Sequence, residues 1–418
     1  MNLKRVVVTG LGAITPIGND VHSMWNAMLQ GESGAGPITH FDASKFRTQF
    51  ACEVKNFDAS SFLDRKEAHK MDLFAQYALY VAGQALTDAH LDLEQEDKGR
   101  IGVVWGSGMG GLHTLEEEIT SFATGDGTPR YNPFFIPKVI SNIAAGQISL
   151  KYGLRGVNFT TLSACASSNH ALCEAFNQLR LGKANIILTG GSEASVEPSG
   201  IGGFNSMHAL STRNDSPTTA SRPFSASRDG FVLAEGAACI VLEEYEHAVA
   251  RGAHIYAEMV GEAMTADAYH LTAPDPQGIG AMEVMRLAIE DAGAELTDID
   301  YINAHGTSTP LGDVAEAHAI STLFGEHAHR LNISSTKSMT GHALGAAGAI
   351  EACATILAVQ NDIVPPTINH SDDDVDEQLD PALNFTFNKP QERIVRYALS
   401  NTFGFGGHNA CVVFKKWM

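Results

Sequence analysis

Short apolar runs alternate with helix-patterned stretches along the whole chain, and this alternation limits the possible fold more than any other feature. Val6-Val7-Val8, Ile101-Gly102-Val103-Val104-Trp105, Ile186-Ile187-Leu188 and Ala238-Cys239-Ile240-Val241-Leu242 read as strands. Ala68 to Leu86 and Ala171 to Leu181 carry helical spacing. Strands that lack polar alternation are buried on both faces, so the pattern predicts an α/β protein with helices covering its sheets. At roughly 150 residues per domain, 418 residues predict two or three units.

A faint internal repeat points to a duplicated α/β unit. Gly12-Ala13-Ile14-Thr15-Pro16-Ile17-Gly18 and Gly306-Thr307-Ser308-Thr309-Pro310-Leu311-Gly312 share one pattern. Asn158-Phe159-Thr160-Thr161 and Asn332-Ile333-Ser334-Ser335 each lead through a loop into a small-residue helix. The seam is expected near Arg251 to Met259, dividing the chain into residues 1–255 and 256–418. The run Ser371 to Glu377, with four aspartates after Pro365-Pro366, reads as a solvated excursion.

The balance of 28 Lys and Arg against 48 Asp and Glu gives a formal charge of −20. Such a chain repels phosphate backbones, which argues against a nucleic-acid role. No stretch reaches the roughly 18 uninterrupted apolar residues of a membrane span, and the opening apolar run is too short for a signal peptide. The six cysteines form no CxxC pair and no zinc spacing. Free thiols, no metal and a cytoplasmic location are therefore expected.

Gly106-Ser107-Gly108-Met109-Gly110-Gly111 satisfies the dinucleotide pattern G-x-G-x-x-G after a strand. The acidic residue that should close such a site about 20 positions on is missing, because Pro129 to Pro133 is loop. A close-packed glycine loop is the better reading, and a nicotinamide dehydrogenase is the reading it displaces.

Leu162-Ser163-Ala164-Cys165-Ala166-Ser167-Ser168 lies between a strand and a helix whose apolar face carries Ala171, Leu172, Ala175, Phe176 and Leu179. Cys165 therefore sits at a helix N-terminus, where the dipole is expected to lower its pKa. Cys173, Cys239 and Cys353 instead fit the usual role of a small buried hydrophobe. A cysteine nucleophile needs proton management and an oxyanion site. His305, before Gly306-Thr307-Ser308-Thr309, and His342, in Lys337-Ser338-Met339-Thr340-Gly341-His342, both stand at loop junctions.

These segments resemble those of the beta-ketoacyl-[acyl-carrier-protein] synthases. The likeness covers the Cys165 segment, Asn303-Ala304-His305-Gly306-Thr307-Ser308-Thr309, Lys337 to Gly345, and Asn401-Thr402-Phe403-Gly404-Phe405-Gly406-Gly407-His408-Asn409. It runs nearly end to end and fits the synthase II branch. The resemblance implies a thiolase-like fold of two duplicated halves, layered α-β-α-β-α, in a homodimer. It implies decarboxylative condensation of malonyl carrier protein with an acyl chain on Cys165, elongating fatty acids by two carbons. His305 and His342 would act on the malonyl group, Lys337 with Glu351 would set the electrostatics, and Cys165 and Phe405 amides would hold the oxyanion. Thr307 and Thr309 would grip the phosphopantetheine arm, which arrives on the carrier protein, so no resident cofactor is implied. Phe403 and Phe405 would gate the acyl tunnel, and Met109 would line its far end, with consequences for chain length. A monovalent cation near Asn303, Glu351, Ser400 and Asn401 is a further implication. Arg65, Lys66 and Lys70, extended by Arg130, Lys138 and Arg213, would dock the acidic acyl- or malonyl-loaded carrier protein. A polyketide-type ketosynthase with the same catalytic set is the near alternative. A non-catalytic carrier-binding protein is the distant one, and it has no need of Cys165.

Overall fold

A computed structural model describes residues 3–417. Its framework is ten strands: β1 (Val6–Ile14), β2 (Ile101–Gly106), β3 (Asn158–Thr161), β4 (Ile186–Glu193), β5 (Gly236–Glu244), β6 (Ala257–Ala266), β7 (Tyr301–Asn303), β8 (Asn332–Ser334), β9 (Tyr397–Gly404) and β10 (His408–Lys416). They join in the order β8-β7-β9-β10-β6-β1-β5-β4-β2-β3. From either edge inward, each half places its third strand first, then its second, fourth, fifth and first. The duplication is thus written into the topology. In both halves the two outer pairings are parallel and the rest antiparallel. The halves meet where Val6, Val7 and Val8 pair antiparallel with Met259, Glu258 and Ala257.

Five helices complete the layers: α1 (Leu73–Asp88), α2 (Ser167–Arg180), α3 (Ile279–Asp291), α4 (Pro310–Phe324) and α5 (Ala347–Asn361). Helix α1 covers the first half on β1 and β5, and α3 covers the second on β6 and β10. Between the halves, α2 and α5 pack against each other and against strands of both. Every residue of α5 from Ala347 to Val359 is buried. The stretch Leu344–Asn361 is long and apolar enough to cross a membrane, but 89% of it is buried within the protein. The apolar pattern therefore serves the central layer.

Two sequence expectations need correction and a third needs refining. The Ala68 to Leu86 helix is broken, because Asp72 caps the start of α1 by accepting from the Phe74 N–H. The Gly-x-x-Thr-Pro match is coincidental: one copy follows β1 and the other β7, which are not equivalent strands. The Asn158 and Asn332 match is genuine, since β3 and β8 occupy the same place in their halves. Finally, the acidic run is the surface loop expected, with Ser371, Asp372, Asp373, Val375 and Glu377 exposed, but two of its aspartates are docked. Asp374 accepts hydrogen bonds from the Ser227 N–H at 2.7 Å and hydroxyl at 2.6 Å. Asp376, 8% exposed, pairs with buried Arg228 at 2.6 Å. Aspartates that meet backbone donors and a buried guanidinium dock a segment that they would otherwise solvate.

Candidate active site

Cys165 lies two residues before α2, after Ala164, whose φ of 51° marks a tight bend. It is 7% exposed. Strand β9 delivers Phe403 to Phe405 beside it. A side chain on Gly404 would stand 2.7 Å from the Ser163 carbonyl and 3.2 Å from the Cys165 nitrogen, so only glycine permits this approach. The amides of Phe405 and of Cys165 itself point at the thiol. Burial nevertheless pushes the thiol up to about 11, against the lowering pull of Lys337 and these amides. Desolvation of the thiolate opposes the lowering expected at a helix N-terminus.

His305 follows β7, and His342 is held by backbone bonds to Val232 and Ala234. Their rings meet edge-on with centroids 5.4 Å apart. His305 also meets Phe403 at 5.6 Å, and Phe231 stands edge-on to His342 at 5.2 Å. Burial, and then the charge of Lys337, hold both imidazoles well below their usual value. Both Nδ1 atoms are buried without a protein partner, so Nε2 is the accessible nitrogen of each ring.

Lys337 lies behind the histidines and pairs with Glu351 of α5, each side chain 1% exposed. Glu351 is thus no surface carboxylate. Burial still raises it to about 7, and Lys337 draws it down. Beside this pair, Asn303 and Ser400 are register partners on β7 and β9. Asn303 Oδ1, Ser400 Oγ, Asn401 Oδ1 and Glu351 Oε2 are buried without protein partners. A buried, all-oxygen set of this kind fits a hard cation.

One cavity of about 920 Å³ brings together Cys165, His305, His342, Thr307, Thr309, Phe403, Phe405 and Met109. The Thr307 and Thr309 hydroxyls lie 2.9 Å apart. The loop that carries them is tied down throughout. Glu316 accepts from the His305 and Gly306 N–H groups at 2.8 Å each. Asp313 accepts from Ser308, and Arg228 donates to the Thr309 and Pro310 carbonyls. Glu316, Asp313, Arg228 and Phe231 escaped the sequence reading. The only signal for the two acids was that they lie one and two helical turns beyond the Gly-Thr-Ser-Thr-Pro loop.

The dinucleotide pattern is accounted for as well. A side chain on Gly106 would meet the Ser168 nitrogen at 2.5 Å, and the Gly108 and Met109 amides already donate to Glu193. That carboxylate takes the place a phosphate would need. Arg65, Lys66 and Lys70 are exposed and line no part of the cavity. Lys70 lies over the Phe134 ring, 5.6 Å from its centroid, which brings it towards the segment bearing Lys138.

Residues 3–248 match the beta-ketoacyl synthase N-terminal domain, and residues 256–371 the C-terminal domain. The chain belongs to the beta-ketoacyl synthase family. It is 50% identical to a 3-oxoacyl-[acyl-carrier-protein] synthase 2 of Synechocystis sp., over 99% of this chain and 98% of the relative. It is 47% identical to the Coxiella burnetii protein of that name, over 100% and 99%. A beta-ketoacyl synthase structure from Burkholderia phymatum superposes with a TM-score of 0.92 at 36% identity, covering 99% of this chain and all of that one. The ishigamide ketosynthase/chain length factor gives 0.92 at 33%, with both chains fully covered.

Proposed function

We propose that this synthase elongates fatty acyl chains by condensing malonyl-[acyl-carrier-protein] with an acyl group held on Cys165. One observation carries the reading: a buried thiol under two amides shares a cavity with two neutral imidazoles. In the first half-reaction, Cys165 Sγ attacks the incoming thioester, and its proton leaves with the pantetheine sulfur. The Cys165 and Phe405 amides receive the tetrahedral oxyanion. In the second, malonyl decarboxylation releases CO2 and develops an enolate oxygen. Neutral His305 and His342, each with its N–H on Nε2, donate to that oxygen. The enolate carbon attacks the acyl-Cys165 thioester, and the departing thiolate regains a proton from solvent. Burial, with Lys337 behind both rings, keeps them neutral.

The fatty-acid reading is preferred to a polyketide one because synthase 2 relatives share 47–50% identity over the full chain, against 33% for the ishigamide protein. The acyl carrier protein would dock on Arg65, Lys66 and Lys70. The enzyme would work in the cytoplasm as a homodimer. In support of the dimer, β3 is an edge strand flanked by exposed Leu150 and Leu162. No resident cofactor takes part. A structural monovalent cation would rest among Asn303, Glu351, Ser400 and Asn401.

The test compares wild type with Cys165→Gln on carrier-loaded acyl chains and malonyl carrier protein. Wild type is expected to condense, and the variant to decarboxylate without condensing. A variant that condenses as well as wild type would refute the reading. Reversing Lys66 and Lys70 to Glu is expected to raise KM for carrier-borne substrates and spare small thioesters. Equal effects on both would remove the docking assignment.

A further inference from the structure

We propose that Glu193 is a positioning residue that sets which acyl chains the cavity accepts, by fixing Met109 in the cavity wall while anchoring the chain beside His342. The inference rests on Cys165 being the acyl acceptor. Glu193 ends β4 and is fully buried. Its two oxygens meet four donors. Oε2 accepts from the Gly108 N–H at 2.8 Å and the Gly345 N–H at 3.0 Å. Oε1 accepts from the Met109 N–H at 3.1 Å and the Ser195 hydroxyl at 3.2 Å.

These donors belong to different parts of the site. Gly108 and Met109 follow β2, and Met109 lines the cavity. Gly345 stands three residues past His342, in the turn that leads into α5. A side chain on Gly108 would lie 2.9 Å from Glu193 Oε2, 3.3 Å from the Gly345 nitrogen and 3.6 Å from the Ala164 carbonyl. The cavity wall and the His342 segment therefore converge on one carboxylate, with the residue before Cys165 packed against Gly108.

Among the described residues, no lysine, arginine or histidine forms an ion pair with Glu193. A buried carboxylate without a cation is costly unless amides satisfy it, and only a carboxylate offers two oxygens that accept without donating. Glutamine changes this arrangement in a defined direction. Its NH2 can face the Ser195 hydroxyl, which accepts as well as donates, while its carbonyl oxygen keeps Gly108 and Gly345. The Met109 N–H then loses its acceptor. The wall loosens and the His342 segment stays in place.

The experiment measures condensation by wild type and Glu193→Gln across acyl chains of increasing length. It also measures malonyl decarboxylation by Cys165→Gln with and without Glu193→Gln. The long-to-short rate ratio is expected to rise about tenfold, the effect of one lost hydrogen bond to a charged acceptor. Decarboxylation is expected to stay at the Cys165→Gln level. An unchanged ratio, or a parallel fall of condensation at all lengths and of decarboxylation, overturns the inference. Failure of wild type to condense at all would instead defeat the functional reading. If the glutamine variant does not fold, amide hydrogen exchange on wild type decides. The Gly108, Met109 and Gly345 amides are expected to exchange slowly as a group, and fast exchange at Met109 or Gly345 overturns the anchoring.

Discussion

Replacing Lys337 with methionine removes one partner of an ion pair whose side chains are each 1% exposed. Solvent screens such a pair very little, so the variant leaves Glu351 as a buried carboxylate with no counter-charge. Breaking a buried pair in this way costs about 3–5 kcal/mol. The double variant Lys337→Met/Glu351→Met removes both charges and fills similar volume, and such replacements are often neutral or stabilising. Urea unfolding of wild type, single and double variants reads the difference directly from the midpoints. The single variant's defect also depends on pH, with a fixed sign. Burial holds Glu351 at about 7 even with Lys337 drawing it down, so loss of the lysine raises it further. A carboxyl raised on folding contributes stability that is full below its unfolded value and is lost as pH rises towards the folded one. The gap between Lys337→Met and wild type should therefore widen from pH 6 to pH 9. A single variant no less stable than the double, or a gap that ignores pH, would refute this account.

Three further outcomes follow from the same geometry. Gly404→Ala places a methyl against the Ser163 carbonyl and the Cys165 nitrogen, displacing the Phe405 amide; condensation is expected to fall about 10²-fold, measured beside a retained malonyl decarboxylation. His305 and His342 are held well below their usual 6.5, so the neutral form persists as pH falls through that value; decarboxylation by Cys165→Gln should stay flat from pH 8 to 6.5, and a half-loss at 6.5 would contradict it. Asp376→Asn weakens the hold of Arg228 on the Thr309 and Pro310 carbonyls; KM for malonyl carrier protein should rise several-fold with little change in kcat.

The chemistry was more legible than its support. Cys165, His305, His342 and Lys337 stand in short, continuous motifs, so the local sequence carries them. The apolar runs gave the α/β class for the same reason: burial on both faces leaves an unbroken pattern. Glu193, Glu316 and Arg228 were hidden because these partners are backbone groups 10 to 152 residues away, and no local pattern records such pairings. The docking of two aspartates in the acidic run went unread because composition reports charge and not the buried arginine that meets it. The helix N-terminus at Cys165 was visible in sequence, whereas the depth of burial that opposes its effect was not.

Burial raises the Cys165 thiol, so the charged form of the nucleophile is disfavoured until a substrate arrives. Peroxides and stray electrophiles react with thiolates, so the resting sulfur is chemically quiet towards them. A thioester is different only because its carbonyl fits beneath the two amides that accept the charge as the bond forms. Reactivity is thus supplied by the fit of the substrate and not stored in the sulfur. An inhibitor that places a carbonyl or its mimic between the Cys165 and Phe405 amides should therefore react faster with the thiol than a simple alkylating agent of equal intrinsic reactivity.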